Sequence, residues 1–520
     1  MLNLSWAVQN GQRGREKRIH PLITWLLISL LVLGACSIQQ PVSSQEPEAY
    51  AQYLDRRVPE LMRRYRVSGA SLAMVRGGEI VWTAAYGAAD QEAGEPMTVD
   101  TVFQAASISK SVAAWGVMRL VEEGKVELDA PVETYVGRWN IPASEFDPDG
   151  VTVRRLLSHT AGLSLHGYPG FPPDEPLPST VESLSGETNG AGSVRLIHEP
   201  GSKFSYSGGG YTLLQLLIEE VTGESFADYM AREVLEPLGM ERSSYVWEPE
   251  LRDETATGYD WMGKRVPNYR FAARAAASLY TTAPDLGRFV SATAPGPDGT
   301  PAGGGVLSSE TIEQMTRPAP ATDGMYGLGY MVDELSNGTS VVQHSGGNRG
   351  WRTHFVALPE KEAGFVLLTN SDRGGQLIVD VVCSWIAWAG ETDPAVVCQT
   401  EVAHRTIASI VAVVLAFGLL GYLVWVIVGV RAGSRQLVWP LTWRRGHRVA
   451  VIVVLLAVWW GLFYSQLAGR IVTGLSHYYG AMFLPISFRW ITAVVTLWGV
   501  ALIGVTFLPR SAPGEAAGND

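Results

Sequence analysis

Three long apolar runs follow residue 400 and set the C-terminal part of this chain apart from the rest. The runs are Thr406–Val430, Val449–Gly469 and, roughly, Trp490–Leu508. A helix needs about 20 mostly apolar residues to cross a bilayer. The sequence therefore predicts an all-α membrane segment of three transmembrane helices over residues 406–508, with a polar tail over 509–520.

The arginines between these runs indicate which side of the membrane each loop faces. The first loop holds Arg431, Arg435, Arg444, Arg445 and Arg448, and the second holds Arg470 and Arg489. Short loops rich in Arg or Lys tend to stay in the cytoplasm. The first loop is therefore expected inside, and the residues before the first run are expected outside, at the cell membrane.

The N-terminus has the features of an export signal. A basic stretch, residues 13–18, precedes the apolar run Pro21–Leu33, and the chain continues to Cys36 through two small residues. This pattern is typical of secreted proteins. The Leu-Gly-Ala-Cys ending resembles a bacterial lipobox, which implies that the signal (1–36) is cleaved and that Cys36 carries lipid. The alternative is an uncleaved signal anchor, and both agree with the orientation given by the arginines.

Between the signal and the first apolar run we expect a polar linker (37–47), an exported domain (48–392) and a juxtamembrane segment (393–405). The two remaining cysteines, Cys383 and Cys398, lie near the end of this exported part. A disulfide is allowed in an oxidising compartment outside the cytoplasm. Two buried thiols are the alternative.

Composition excludes some classes of function. The net charge of −11 argues against nucleic-acid binding, which needs a clustered basic face. The sequence has no His-Glu-x-x-His or Cys-x-x-Cys motif, and its nine histidines show no metal-ligand spacing. We therefore expect neither a metal nor another cofactor.

Strand patterns at both ends of the exported domain enclose a mainly helical middle. The predicted strands are Ala70–Arg76, Glu79–Tyr86, Met325–Val332, Ser340–Gln343, Trp351–Leu358 and Gly364–Thr369, with a glycine-rich turn over 344–350. The clearest predicted helices are Glu48–Arg66, Thr212–Thr222 and Gln376–Ala389. This order predicts an α+β fold, in which one sheet is built from both ends of the domain and a helical part is inserted.

Ser107 and Lys110 are the strongest candidates for chemistry. Residues three apart on a helix share a face, so the lysine amine can reach the serine hydroxyl. The small and apolar neighbours of Lys110 predict that it is buried, and a desolvated lysine can act as a base toward a hydroxyl. A single Ser-x-x-Lys match is also compatible with a serine whose hydroxyl is merely hydrogen-bonded within the fold and a lysine on the surface.

Other segments give weaker signals. Tyr206 lies in a small-residue turn that opens a helix, where a tyrosine is either a site residue or a packing residue. His159 lies between a helix end and a turn; it is a candidate base, although a structural role is more common there. The loop Leu165–Gly201 is rich in Pro, Gly and Ser, and a loop of this length usually borders a binding site or is mobile.

Taken together, three motifs resemble those of serine β-lactamases and penicillin-binding proteins. In chain order they are Ser107-x-x-Lys110, Tyr206-Ser-Gly208 and His344-Ser-Gly346. Their spacing and flanks are most similar to the class C β-lactamase-related serine hydrolases, over about residues 48–390. The resemblance implies a β-lactamase/transpeptidase-like antiparallel sheet flanked by helices, with a helical subdomain and a catalytic cleft between them.

The resemblance also implies a role for individual residues. Ser107 would be the acylated nucleophile and Lys110 its proton acceptor. Tyr206 would pass protons to the leaving group and help to activate water, although the division of proton transfer between lysine and tyrosine stays open. The backbone N–H groups of Ser107 and Gly347 would form the oxyanion hole.

The chain departs from the family pattern at two positions. The second motif ends in Gly208 where an asparagine is common, and the third has His344 where true β-lactamases have a lysine. His344 is mostly neutral near pH 7, so Arg349 is the candidate cation for a substrate carboxylate. The expected substrate-binding residues are His344, Ser345, Gly346, Gly208 and Arg349. Both departures argue against efficient β-lactam hydrolysis.

The sequence thus predicts a membrane-anchored, extracytoplasmic serine hydrolase that acts on D-amino-acid-containing peptides, esters or amides. A β-lactamase or an esterase of the same family is the first alternative. A ligand-sensing membrane receptor is the second, and the short arginine-rich loop and tail argue against it. The expected partners are a small-molecule or peptide substrate and membrane lipid, and the sequence does not indicate an oligomeric state.

Overall fold

The structure, a computed structural model, describes residues 42, 44–392, 396–439, 442–464 and 486–509. The predicted export signal with Cys36 and, apart from Pro509, the predicted tail lie outside the described residues. The chain divides into two compact units, one formed mainly by residues 40–399 and one by residues 400–463 and 485–520.

The first unit contains both strands and helices. Its strands are β1 (Gly69–Arg76), β2 (Glu79–Asp90), β3 (Glu95–Pro96), β4 (Phe103–Ala106), β5 (Gly258–Tyr259), β6 (Arg265–Val266), β7 (Leu279–Thr281), β8 (Met331–Glu334), β9 (Ser340–Asn348), β10 (Trp351–Leu358) and β11 (Ala363–Thr369). Its helices are α1 (Pro47–Tyr65), α2 (Ser109–Glu122), α3 (Val153–Leu157), α4 (Thr180–Ser185), α5 (Gly208–Thr222), α6 (Phe226–Met230), α7 (Pro249–Arg252), α8 (Arg274–Ala277), α9 (Ala283–Ser291), α10 (Ser309–Thr316) and α11 (Gly374–Ala389). Short 3-10 or π turns occur at Val132–Thr134, Pro148–Gly150, Ala231–Leu235 and Pro359–Lys361.

One antiparallel sheet joins the two ends of this unit. Its strand order is β3-β2-β1-β11-β10-β9-β8. The central pair is β1 with β11, in a register that places Ala70 opposite Thr369 and Arg76 opposite Ala363. The prediction of an α+β fold with one sheet built from both ends is therefore confirmed.

Two layers of helices cover the sheet, one on each face. Successive residues of a strand point to opposite faces, and Phe355 and Val356 of β10 accordingly belong to different apolar cores. One core includes α1 and α11, and the other includes α2, α9 and the helices inserted between β4 and β7. Because both faces are covered, every residue of β11 is buried.

The structure corrects two predicted segments. The residues predicted as a turn over 344–350 are mostly strand, because β9 runs to Asn348 and only Arg349 and Gly350 form the turn, with Gly350 at φ +80°. The predicted strand over 325–332 is mostly a loop. Gly327 lies against the carbonyl of Met315, and Gly329 has φ +92°, so the chain turns before β8.

The described residues of the second unit form three helices, the first of which begins in the first unit: α12 (Val396–Arg431), α13 (Trp443–Tyr464) and α14 (Ile486–Thr506). Among the described residues, the segment Thr406–Arg431 of α12 is the one long and apolar enough to cross a membrane by length and composition. The apolar part of α14, Trp490–Thr506, is shorter. The number of membrane spans therefore stays a prediction.

A disulfide joins Cys383 in α11 to Cys398 at the start of α12. Of the two alternatives left open by the sequence, the structure contains the bonded pair. Both cysteines lie in the first unit.

Candidate active site

Ser107 lies in the tight turn between β4 and α2 rather than within the helix. Ala106, the last residue of β4, has φ +53°, a left-handed conformation that is unfavourable for a residue with a Cβ. The hydroxyl of Ser109 stabilises the turn, because it donates to the Ala106 carbonyl at 2.5 Å and accepts from the N–H of Leu279 at 2.9 Å. The turn therefore holds Ser107 at the junction of the sheet and the helices.

Lys110 lies one turn further on, in the first turn of α2. Its side chain is buried, with Nζ 3.2 Å from Oγ of Ser107 and 2.6 Å from the carbonyl oxygen of Ala276. It forms no ion pair within the described ranges. Burial without a counter-charge lowers the pKa of Lys110 to about 7. Near neutral pH a large fraction of this amine is therefore unprotonated and able to accept a proton.

Tyr206 forms the third side of this group. Its phenol is hydrogen-bonded to Ser107, and the Lys110 amine lies 5.0 Å from the centre of its ring. Burial raises the pKa of Tyr206, and the hydrogen bond to Ser107 opposes this shift. The phenol therefore stays protonated at neutral pH and can both donate and accept a hydrogen bond.

Two histidine rings hold Tyr206 in place. The centres of the rings of His159 and His166 lie 4.1 and 4.6 Å from the centre of the Tyr206 ring. His159 has φ +59°, and its Nδ1 accepts the N–H of Ser207 at 3.1 Å. The pKa of His159 lies well below its usual value, because of burial and then the charge of Lys110. The contacts of His159 fit the structural role and not that of a base on Ser107.

The third motif lies on β9, which passes beside β4. A Cβ on Gly346 would lie 2.1 Å from both the carbonyl oxygen of Ala105 and Oγ1 of Thr353, so only glycine allows this approach. The amide of Asn348 donates to Oε1 of Gln104 at 2.7 Å. These contacts fix the segment that contains Gly347 next to the strand that ends before Ser107. Gly346 therefore serves the close packing of two strands rather than a turn.

His344 supplies no positive charge. Its Nδ1 lies 2.8 Å from the carbonyl oxygen of Ser345, so Nδ1 carries the proton and Nε2 accepts from the phenol of Tyr326 at 3.0 Å. Burial, followed by the charge of Lys110, lowers the pKa of His344 to about 3. The third motif is therefore neutral at physiological pH.

Ser345, Gly208 and Arg349, which were also predicted to bind substrate, lie in three different parts of the fold. Ser345 bonds Nδ1 of His354 at 2.9 Å on the opposite face of the sheet from His344, since side chains alternate along a strand. Its side chain therefore does not face Tyr206, and its role in substrate binding stays a prediction. Gly208 is buried at the start of α5, where a Cβ would lie 3.1 Å from the carbonyl oxygen of His166. Arg349 is exposed on the β9–β10 turn.

The loop before α4 borders this site, and Arg349 lies on the turn that follows β9. The guanidinium of Arg349 donates to the phenol of Tyr269 at 2.8 Å, and its other donors face solvent. His166, which packs on Tyr206, belongs to the loop Leu165–Gly201 that was predicted to border a site. The carbonyl of Ala276 and the ring of His166 were not predicted as site groups. A backbone carbonyl leaves no signal in a sequence, and a histidine in a long loop leaves a weak one.

Comparisons with known proteins agree with this arrangement. The family model described as Beta-lactamase matches residues 54–379. The chain is similar to Esterase EstB of Burkholderia gladioli (33% identical over 226 residues, 42% of this chain and 57% of the relative). It is also similar to a D-aminopeptidase of Gluconobacter oxydans strain 621H (24% identical over 343 residues, 64% of this chain and 61% of the relative). The chain thus spans about three fifths of the length of these relatives.

Solved structures give the same fold. The octameric penicillin-binding protein homologue from Pyrococcus abyssi superposes with a TM-score of 0.55 and 29% identity, over 66% of this chain and 78% of that one. The structure of SurE with D-Leu superposes with a TM-score of 0.54 and 26% identity, over 66% and 76%. The fold, the order of the three motifs and the match over residues 54–379 show that this chain belongs to the beta-lactamase family of serine hydrolases.

Proposed function

We propose that this chain hydrolyses its substrate through an acyl-enzyme on Ser107. The observation that carries the proposal is the buried amine of Lys110, which lies 3.2 Å from the Ser107 hydroxyl with a pKa of about 7. A base is most effective when its pKa is close to the working pH. A lysine that is buried without an acidic partner has little structural benefit, since its desolvation costs free energy.

The reaction would proceed in two halves. The Ser107 oxygen attacks the substrate carbonyl carbon while its proton passes to Lys110, and the N–H groups of Ser107 and Gly347 bind the oxyanion that forms. The bond to the leaving oxygen or nitrogen then breaks as the Tyr206 phenol gives it a proton, and the phenol takes back the proton held by Lys110. Water, deprotonated by the same pair, then attacks the acyl carbon, and the acid leaves as Ser107 regains its proton.

D-amino-acid-containing peptides, esters or amides are the proposed substrates. The similarity to a D-aminopeptidase and to a protein solved with D-Leu supports this class. His344 is neutral, so a substrate carboxylate would be bound by Arg349, whose remaining donors face solvent. The same neutral His344, together with Gly208 in place of an amide side chain, argues against efficient turnover of β-lactams.

An esterase is the second candidate function. Simple esters have no carboxylate that needs a cation, and the neutral third motif suits them equally well. The similarity to Esterase EstB supports this reading.

Turnover of matched substrates separates these candidates. We would compare a D-alanyl-D-alanine peptide, its L,L isomer, a nitrophenyl ester and a chromogenic cephalosporin with the purified full chain. We expect the D,D peptide to exceed the L,L isomer at least about tenfold in kcat/KM. Arg349→Ala should raise KM for the D,D peptide and leave the ester unchanged. Turnover of the ester alone would favour the esterase, and undiminished turnover by Ser107→Ala would refute the acyl-enzyme.

We further propose that the catalytic unit is held outside the cytoplasm at the cell membrane. The apolar segment Thr406–Arg431 and the Cys383–Cys398 disulfide support this placement, because disulfides persist mainly in oxidising compartments. Resistance of the chain to alkaline extraction from membranes tests the anchoring. The side of the membrane is tested by adding protease to cells whose wall and outer layers have been removed while the cell membrane stays sealed. Digestion of the catalytic unit would place it outside the cytoplasm. Release of the chain by alkali would refute the anchoring.

A further inference from the structure

The helices of the second unit line an open cavity of about 390 Å³ near the end where α12 and α14 finish and α13 begins. Ligand pockets commonly range from about 300 to 1,000 Å³. Its lining includes Tyr422, His447, Arg448, Ile452, Leu502 and Thr506. The cavity therefore combines two basic groups and two hydroxyls with aliphatic walls, the composition that suits an amphiphile with an anionic head.

The charged side chains in the sequence around this cavity are all positive. Residues 402–514 contain nine arginines and no lysine, aspartate or glutamate. Arg448 accordingly forms no ion pair in the part of the chain that the structure describes. Arg435, by contrast, donates to the carbonyl oxygen of Leu508 at 2.8 Å and lies 4.3 Å from the centre of the Trp425 ring. No acidic side chain within residues 402–514 can supply the counter-charge for Arg448, whereas a bound anion could.

We propose that this cavity binds the headgroup of an anionic phospholipid. The guanidinium of Arg448 would bind the phosphate through two parallel hydrogen bonds, with His447 as a further donor. The hydroxyl of Thr506 donates to the carbonyl oxygen of Ile503 at 2.6 Å, so its oxygen can accept from a glycerol hydroxyl. Ile452 and Leu502 would contact the first methylenes of the acyl chains. The inference rests on the proposed membrane anchoring.

The predicted orientation supports a lipid rather than a free anion. The arginine-rich end of these helices is the end expected in the cytoplasm, where the leaflet carries anionic lipids. Basic pockets between membrane helices on that side are suited to phospholipid headgroups. A soluble phosphate would gain nothing from the aliphatic walls.

Native mass spectrometry of the purified full chain in a non-ionic detergent tests the site. The chain would be exposed in turn to phosphatidylglycerol, phosphatidylcholine and soluble glycerol phosphate at equal concentrations. Arg448→Ala removes the proposed contact. Arg444→Ala is the matched control, because Arg444 lies on the same helix, is exposed like Arg448 and carries the same charge, but is absent from the lining. Leu502→Trp, which fills the cavity and leaves all charges in place, is a second disrupting variant.

We expect wild type and Arg444→Ala to retain phosphatidylglycerol, and Arg448→Ala and Leu502→Trp to retain it about tenfold less. Equal losses in Arg448→Ala and Arg444→Ala, or equal retention of phosphatidylcholine, would overturn the proposal. Competition by glycerol phosphate at equal concentration would show a free-anion site instead and would also overturn it. Labelling of Ser107 by a fluorophosphonate reports independently on folding and on the proposed chemistry, and alkaline extraction reports on anchoring, so the failures are distinguishable.

Discussion

The amine of Lys110 lies 3.2 Å from the hydroxyl of Ser107, inside the protein and without an acidic partner among the described residues. The same amine bonds the carbonyl oxygen of Ala276 at 2.6 Å, which fixes its direction. The chain therefore orients a lysine toward a serine and lowers its affinity for protons at the same time. The proposed chemistry depends on both effects.

The first prediction concerns pH. Only the unprotonated amine can accept the Ser107 proton, and burial places the pKa of Lys110 at about 7. We expect kcat/KM for a nitrophenyl ester to rise with pH through a value near 7 and to level off above it, since kcat/KM reports the free enzyme. A profile that is flat between pH 6 and 8 would exclude Lys110 as the base.

The second prediction concerns stability. The pKa of Lys110 falls from about 10.4 in an unfolded chain to about 7 in the folded one. Between these values folding releases a proton, so the wild type loses stability as pH falls from about 10 to about 7, and the loss is complete below pH 7. The full shift corresponds to ~5 kcal/mol, and the loss of the hydrogen bonds that the amine makes offsets about 1–2 kcal/mol of it.

Lys110→Met should therefore stabilise the chain by about 3–4 kcal/mol below pH 7 and by much less near pH 10, while it abolishes activity. Thermal unfolding of the purified full chain at pH 6.5 and 9.5, followed by tryptophan fluorescence, measures the difference. The same gain at both pH values, or a loss at pH 6.5, would contradict the assigned burial cost.

The third prediction separates Tyr206 from His159. Tyr206→Phe removes the phenol that moves protons and should lower kcat about 100-fold. Tyr168→Phe is its control, because the hydroxyl of Tyr168 bonds Thr212 and not Ser107. His159→Asn keeps an acceptor for the N–H of Ser207 and tolerates positive φ, but it removes the ring that packs on Tyr206.

For His159→Asn we expect kcat to fall about tenfold while the rise of kcat/KM near pH 7 persists, because His159 is already neutral at that pH. The measurement is the pH profile of ester hydrolysis by the variant and the wild type. Loss of the pH dependence in His159→Asn would instead make His159 the titrating base.

The fourth prediction concerns the contact between β9 and β4. A Cβ at Gly346 would lie 2.1 Å from the carbonyl oxygen of Ala105, so Gly346→Ala must push the two strands apart. We expect acylation to slow at least about 100-fold, together with a loss of about 1–3 kcal/mol in stability. Gly375→Ala is the control, because a Cβ there meets nothing within 4 Å. If Gly346→Ala and Gly375→Ala had the same acylation rate and the same melting temperature, the close contact between β9 and β4 would be refuted.

Sequence patterns predicted much of this fold because the patterns report burial. The apolar residues of α1 recur at helical spacing, and those of β10 and β11 form nearly continuous runs. The structure contains all three elements within a few residues of their predicted ends. The error over 344–350 has a physical cause. Glycine serves both turns and close strand contacts, and only the contact of Gly346 with Ala105, 241 residues away in sequence, shows which applies.

The candidate site was predictable only in part. The order of the three motifs indicated Ser107, Lys110 and Tyr206, and the structure brings these side chains together. The groups that hold these side chains in place, such as the backbone carbonyl of Ala276, leave no recognisable pattern in the sequence. The face on which Ser345 lies depends on strand register, which a turn prediction could not supply.

The most direct test of the central claim is labelling of the purified chain by a fluorophosphonate, with the modified peptide identified by mass spectrometry. We predict that wild type is labelled on Ser107, that Ser107→Ala is unlabelled, and that Lys110→Ala reacts at least about 100-fold more slowly. Ser345→Ala, whose hydroxyl lies on the other face of the sheet, should react like wild type. Equal labelling of wild type and Ser107→Ala, or an unchanged rate in Lys110→Ala, would contradict the account.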